Sequence, residues 1–228
     1  MKILNLDNRD YHMHSNNFSD GFSSVDEIVR FAGEIGLTEI AITDHSDATL
    51  DFFQNQFGFF PSTARYNLAG DRWQNVFNGV NVIFGVEGDL LNENGDTCFT
   101  IQGLESDFKI LSLHDGIYCG DVKKTTQGLI KAIEKNYNQI KLIGHPCYIG
   151  GKSQYYDIKQ IVEVANNYNI PLEFNAKNIH RGKTDLEKLD YMLRNADEIY
   201  INSDAHTLYD LKESRKFAIK YLKENNYI

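Results

Sequence analysis

Six of the seven histidines in this 228-residue chain fall directly after a predicted strand or at its end, in His12-Met13-His14, Asp44-His45, Leu113-His114-Asp115, Gly144-His145-Pro146 and Asp204-Ala205-His206. His12 and His14 stand at i and i+2, so in an extended segment both imidazoles project to one side and can share or bridge metal ions. Asp204 and His206 repeat that spacing near the other end of the chain. Glu87 follows the apolar run Val82-Ile83-Phe84-Gly85-Val86, where a carboxylate is poised to bridge two cations. Asp20, in Ser19-Asp20-Gly21, lies on a turn that can fold back over the first histidine pair, although an aspartate there also suits a plain turn. The candidate ligands are His12, His14, Asp20, His45, Glu87, His114, His145, Asp204 and His206. They outnumber what one ion can use, so two or three divalent ions are expected, and mixed nitrogen and oxygen donors suit Zn, Mn or Fe better than Mg or Ca. Such a cluster lowers the pKa of a bound water and supplies hydroxide near neutral pH, with no need for a protein nucleophile. Any one of these histidines alone could be a capped strand end or a hydrogen-bonded core residue; the joint pattern favours ligation.

The elements that must position these residues are short apolar runs alternating with segments of helical periodicity, the signature of βα units around a parallel sheet. Val25, Ile28, Val29, Ala32 and Ile35 mark the first helix, with Ser23 or Ser24 as its cap and Gly36 as its stop. Later helices are expected around Ile158 to Ala165, Leu186 to Leu193 and Leu211 to Leu222, with strands at Glu39 to Ile42, Val80 to Val86, Lys109 to Leu113, Lys141 to Ile143, Pro171 to Phe174 and Glu198 to Ile201. The turn Asn92-Glu93-Asn94-Gly95-Asp96 predicts an inserted hairpin, whereas Asp51 to Asn78 has no clear pattern. About seven strands with helices outside would close a (β/α) barrel of the TIM type, whose strand ends converge on one face. A doubly wound open sheet is the alternative.

At 42% hydrophobic and 24% charged residues the chain suits one globular domain over residues 1–228. A net charge of -9 opposes an extended nucleic acid as partner, because backbone affinity needs clustered Lys and Arg, and favours a small substrate or short oligonucleotide. No run approaches the roughly 20 apolar residues of a membrane helix, and no signal peptide is evident at Met1, so a cytoplasmic location with no membrane partner is expected. Cys98, Cys119 and Cys147 read as reduced thiols, Cys147 as a buried one rather than a soft ligand.

The run from Asp10-Tyr11-His12-Met13-His14-Ser15 through Ser19-Asp20-Gly21 to Ile42-Thr43-Asp44-His45 resembles the opening of PHP (polymerase and histidinol phosphatase) domains. Gly85-Val86-Glu87, Leu113-His114, Gly144-His145-Pro146 and Ser203-Asp204-Ala205-His206 are similar to that family's later motifs, in order, so the resemblance spans nearly the whole chain. It implies a distorted seven-stranded (β/α) barrel and a metal-dependent phosphoesterase with a trinuclear site. In that likeness His12, His14, Glu87 and Asp204 hold the first metal, Asp20, His45 and His206 the second, and Glu87, His114 and His145 the third. Among the ligands, Glu87, Asp204 and His206 are expected to be catalytic. Asp20 in a Ser-Asp-Gly turn resembles the branch that includes nucleotide and oligonucleotide phosphoesterases.

For substrate binding, Glu173-Phe174-Asn175-Ala176-Lys177-Asn178-Ile179-His180-Arg181 resembles the loop where histidinol-phosphatase relatives place a phosphate-binding arginine. Arg181 is therefore expected to clamp phosphate and His180 to serve as a leaving-group acid, while Lys177 and Lys152 read as surface charges. Phe52, Phe53, Phe57, Phe59 and Phe60 read as a lid or as packing of a long loop. The leading expectation is a phosphomonoesterase on a small, histidinol-phosphate-like metabolite. Alternatives are a phosphodiesterase or exonuclease on short oligonucleotides and a metal-binding domain without activity. Amidohydrolase chemistry fits less well, because Glu87 stands where a bridging lysine would be expected.

Overall fold

The computed structural model describes residues 1–58, 66, 73–150 and 156–228. Strands β3 (Glu39–His45) and β4 (Asn81–Leu90) anchor it; β3 is buried from Ile40 to His45 and β4 from Gly85 to Leu90, with Val82, Ile83 and Phe84 half-buried, as suits strands of a parallel sheet covered on both faces. The other strands are β1 (Lys2–Ile3), β2 (Arg9–Asp10), β5 (Thr97–Cys98), β6 (Thr100–Ile101), β7 (Leu104–Glu105), β8 (Phe108–Ser112), β9 (Ile140–Ile143), β10 (Leu172–Asn175) and β11 (Glu198–Asn202). The main sheet runs β1-β11-β10-β9-β8-β4-β3-β2, parallel throughout, with β5 added antiparallel to β4. That hairpin closes through Leu91 N donating to Asp96 O, at the expected turn.

β1 and β2 are two pieces of one interrupted first strand, and they occupy opposite ends of the sheet order. Between them the Asn5 side chain replaces a backbone rung: Ile201 N donates to Asn5 Oδ1 at 2.8 Å and Asn5 Nδ2 to Ile201 O at 3.0 Å. Further along, His14 N donates to Ala205 O (2.8 Å) and Thr43 N to Met13 O (2.9 Å), so the same segment touches both sheet ends. The sheet therefore curls on itself into a distorted (β/α) barrel, and counting the broken strand once gives the expected seven rather than an open doubly wound sheet.

Helices α1 (Val25–Glu34), α2 (Asp47–Phe57), α3 (Val122–Asn136), α4 (Ile158–Asn167), α5 (Ala176–His180), α6 (Leu186–Asn195) and α7 (Leu208–Glu224) follow the strands. α1 begins at a complete capping box between Ser24 and Glu27 and buries Val25, Ile28, Val29 and Ala32. Each large apolar side chain so buried contributes about 1.5–3 kcal/mol. α4 buries Ile158, Ile161, Val162 and Ala165 as its periodicity predicts. α6 buries Leu189 and Leu193 but leaves Leu186 exposed at its first turn, and α7 buries Leu211, Arg215, Ala218 and Leu222 with Ile219 half-buried, whereas α2 and α3 were not anticipated. Among the described residues no helix is long and apolar enough to cross a membrane.

Candidate metal centre

The strand ends deliver the ligand candidates to one face. His12 and His14 extend β2, His45 ends β3, Glu87 lies in β4 directly opposite His45, and His114, His145, Asp204 and His206 follow β8, β9 and β11. Asp20 arrives on a turn held by Gly21 N donating to Ser15 O and Phe22 N to His206 O. A side chain at Gly21 would place its Cβ 2.1 Å from His14 O, so only glycine lets this turn lie against the His12–His14 segment. His145 and Asp204 adopt positive φ (28° and 48°), an uncommon conformation for residues with a Cβ and one that tends to gather at functional sites.

Glu87 divides the cluster. Its Oε2 faces His12 Nε2 and His14 Nε2, both at 3.4 Å, and His45 Nδ1 at 3.1 Å. Its Oε1 faces His145 Nε2 at 2.7 Å and His114 Nε2 at 3.3 Å. His12 Nε2 and His14 Nε2 lie 3.3 Å apart, and Asp204 Oδ1 is 3.5 Å from the latter. Asp20 Oδ1 is 3.4 Å from both His45 Nε2 and His206 Nε2. Ligand bonds of about 2.1 Å around a tetrahedral ion give edges of roughly 3.4 Å, which these separations match. One buried ring nitrogen, His14 Nδ1, has no hydrogen-bond partner among the described residues. Donor type and spacing thus fit metal ions, and the groups His14/Asp20/His45/His206, His12/His14/Glu87 and His45/Glu87/His114 can together coordinate two or three divalent ions. His145 joins through Glu87, and Asp204 through His14 and His12.

Several supporting residues were not singled out from the sequence. Glu173 accepts from His12 Nδ1 (2.8 Å), His145 N (2.9 Å), Asn175 Nδ2 (3.0 Å) and Asn202 Nδ2 (3.0 Å). Asp89 accepts from His114 Nδ1 at 2.7 Å and from Ser46 and Thr49, and Ser112 Oγ donates to Glu87 Oε1 at 2.8 Å. A carboxylate on the far nitrogen of a ligating histidine fixes its tautomer and aims Nε2 at the metal. The signal was available: Glu173 and Asp89 are ionisable residues inside otherwise apolar strands, and Asp89 stands at i+2 from Glu87 on the same strand face.

Burial opposes ionisation throughout, and the charges facing each group decide the outcome. For Glu87, burial is outweighed by His114, His12 and His145, and for Asp204 by Lys177 and His12, so both carboxyls sit well below their usual range. Burial would neutralise His12 and His114, but Glu173 with Glu87, and Glu87 with Asp89, hold them well above theirs. His14, desolvated beside His206 and His45, goes well below. Burial lifts Asp44 to about 7 against hydrogen bonds from Ser15.

A cavity of about 230 Å³ opens over the cluster, with Lys177, Arg181 and Lys183 among its lining residues. Arg181 thus reaches the site, its guanidinium held by Asp210 at 2.6 Å. His180 does not line this cavity: its ring stacks on Phe217 and Tyr209 between α5 and α7, with centroids 5.0 and 6.0 Å away. Lys177 is not the surface charge its sequence suggested, because its side chain is 15% exposed and its Nζ lies 2.9 Å from Asp204 Oδ1. Phe52, Phe53 and Phe57 belong to α2, and Phe53 meets the His45 ring edge-on. Phe59, Phe60 and Lys152 lie outside the described residues. Cys147 is buried and its thiol lies 4.0 Å from Met192 Sδ, as suits a packed thiol.

Comparison with known proteins places this geometry. A probable phosphatase of Shewanella loihica is 28% identical over 225 residues, covering 96% of this chain and 85% of that protein. The probable phosphatase YcdX of Escherichia coli K12 is 24% identical over 212 residues, covering 90% and 80%. Histidinol phosphate phosphatase from Lactococcus lactis, solved with zinc, L-histidinol and phosphate, superposes with a TM-score of 0.55 at 16% identity over 95% of this chain and 93% of its own. The putative histidinol phosphatase hisK of Listeria monocytogenes gives 0.54 at 14% identity over 91% and 98%; at such identities the likeness shows the fold. The PHP domain model matches residues 10–206, a span that contains every ligand candidate from His12 to His206. The chain belongs to the PHP domain family of metal-dependent phosphoesterases.

Proposed function

We propose that the protein hydrolyses the phosphomonoester of a small metabolite, with water as the attacking group and Glu87, Asp204 and His206 as its catalytic ligands. The observation that carries this reading is the cavity: about 230 Å³, with Glu87, Asp204 and His206 among its lining residues and Lys177, Arg181 and Lys183 as cations beside them. That volume suits a compact phosphorylated molecule. The net charge of -9 on the whole chain makes those cations a local feature suited to an anion.

Bound at the cluster, two or three Zn, Mn or Fe ions supply Lewis acidity for the phosphoryl oxygens and lower the pKa of a water. The chain's own residues do the rest. Glu87 spans the cluster with one oxygen toward His12 and His14 and the other toward His114 and His145. Asp204 is fixed by Asn175 Nδ2 at 3.0 Å, and His206 by the carbonyl of Asp204 at 3.1 Å. Arg181, held by Asp210, presents its guanidinium to the cavity to take phosphoryl oxygens. His180, stacked on aromatic rings, has no part in this reading.

A second reading, cleavage at the end of a short oligonucleotide, is favoured by Asp20, which supplies a carboxylate at the second group beside His45 and His206. Protein loaded with Mn, Zn or Fe should be assayed against a panel of sugar and amino-alcohol phosphates, nucleotides and short oligonucleotides. Phosphate release from small monoesters with catalytic efficiency at least tenfold above any diester is expected. Preference for diesters or oligonucleotides would replace the first reading by the second.

A further inference from the structure

Lys177 follows β10 on the short helix α5, and its place is tied to the cluster from two directions. Asn175 caps α5 by accepting from Asn178 N at 3.0 Å, while its Nδ2 donates to Asp204 Oδ2 at 3.0 Å. The helix start and the orientation of Asp204 are therefore set by one side chain. From there Lys177 Nζ reaches Asp204 Oδ1 at 2.9 Å, the same oxygen that faces His14 Nε2 at 3.5 Å. Lys177 Nζ also lies 2.9 Å from His206 Nδ1.

An ammonium at that oxygen repels divalent cations, so by itself it works against the cluster. The combination becomes favourable once the cavity holds an anion, which the metal side and the ammonium can share. Tautomer chemistry points the same way. A histidine that ligates through Nε2 carries its proton on Nδ1, and His206 has an acceptor for that proton in the Asp204 carbonyl at 3.1 Å. An Nδ1–H cannot accept from Lys177, so with His206 as an Nε2 ligand one of the ammonium's donors would be open to an anion in the cavity while the pair with Asp204 stays. Lys177 and Arg181 are spaced i, i+4 on α5 and its cap, and both line the cavity. Lys177 is the deeper of the two, with its side chain 15% exposed against 51% for Arg181.

We propose that Lys177 is a substrate-contacting residue, its ammonium donating to a phosphoryl oxygen of the bound monoester while it stays ion-paired to Asp204. This rests on the phosphomonoesterase reading above. Lys177→Met removes the charge at similar length, and Lys177→Arg keeps a cation. Each variant and the wild type, loaded with manganese, should be compared for metal content, for calorimetric affinity for inorganic phosphate, and for KM and kcat on a phosphomonoester. Lys177→Met is expected to retain its metal, to bind inorganic phosphate about ten- to a hundredfold more weakly and to lose kcat/KM by a similar factor, with Lys177→Arg recovering much of the loss. Unchanged phosphate affinity in metal-replete Lys177→Met would overturn the proposal and leave Lys177 as a counter-ion of Asp204. A loss of metal in that variant, with normal phosphate affinity in the fraction still loaded, would overturn it equally. Wild-type protein that bound no phosphate and cleaved no monoester would overturn the functional reading together with this one.

Discussion

At the scale of single residues, the site is decided as much by groups behind the ligands as by the ligands. Glu173 holds His12 Nδ1 and the backbone of His145 at once, so it orients two of the candidate ligand histidines. Glu173→Gln keeps the size and an acceptor but removes the charge. It is expected to weaken metal affinity by about 10- to 100-fold, read by competition with a coloured chelator, with the circular dichroism spectrum unchanged. Equal affinity in the variant would show that His12 needs no such support. Nucleophiles are a second residue-scale matter. Ser15 Oγ donates to Asp44, Ser112 Oγ to Glu87, and burial pushes the Cys147 thiol up, so none of these is prepared to attack phosphorus. Hydrolysis of a chiral thiophosphate monoester in isotopically labelled water should therefore proceed with inversion, since one in-line displacement inverts and two retain. Retention would reveal a covalent phosphoryl intermediate on a side chain.

At the scale of elements, loops and strand ends must approach one another closely. The turn carrying Asp20 packs against the His14 backbone through Gly21, where a Cβ would stand 2.1 Å from a carbonyl oxygen that cannot swing aside. Gly21→Ala should destabilise the protein by about 1–3 kcal/mol in denaturant unfolding. Wild-type stability in that variant would mean that the turn is free to move away. The elements also show what a sequence can disclose. α1, α4, α6 and α7 were legible because branched aliphatic residues recur on one face. α3 was not, because half of its buried face is Thr125, Thr126 and Gly128, which carry little apolar signal. α2 buries only Thr49 and Leu50, and its cap, Ser46, gives its hydroxyl to Asp89 instead of to the helix. Lys177 was misread for a related reason. Nothing local distinguishes a lysine on a solvated rim from one directed at a carboxylate that lies 27 positions further along the chain. The clustering of the ligand candidates was legible because a histidine at the end of an apolar strand is unusual in itself, and a barrel brings all such ends together.

At the scale of the whole molecule, the barrel concentrates ionisable groups that would repel or neutralise one another elsewhere. Carboxylates hold His12 and His114 well above their ordinary range, so both carry protons near neutral pH until a metal takes Nε2. Metal binding should therefore release protons, and because the loaded state holds fewer of them, affinity should rise with pH and fall in acid. Calorimetry at pH 7 in buffers of different ionisation enthalpy is expected to show about one proton or more released per chain; no dependence on buffer would contradict that assignment. The most direct test of the molecule as a metal-dependent phosphoesterase is the rate of phosphate release from a monoester as manganese is returned to chelator-stripped protein. No turnover in the stripped protein is expected, with a rise that saturates at two or three equivalents per chain. Full activity without metal, saturation at a single equivalent, or no activity at any loading would contradict the multinuclear site on which the function rests.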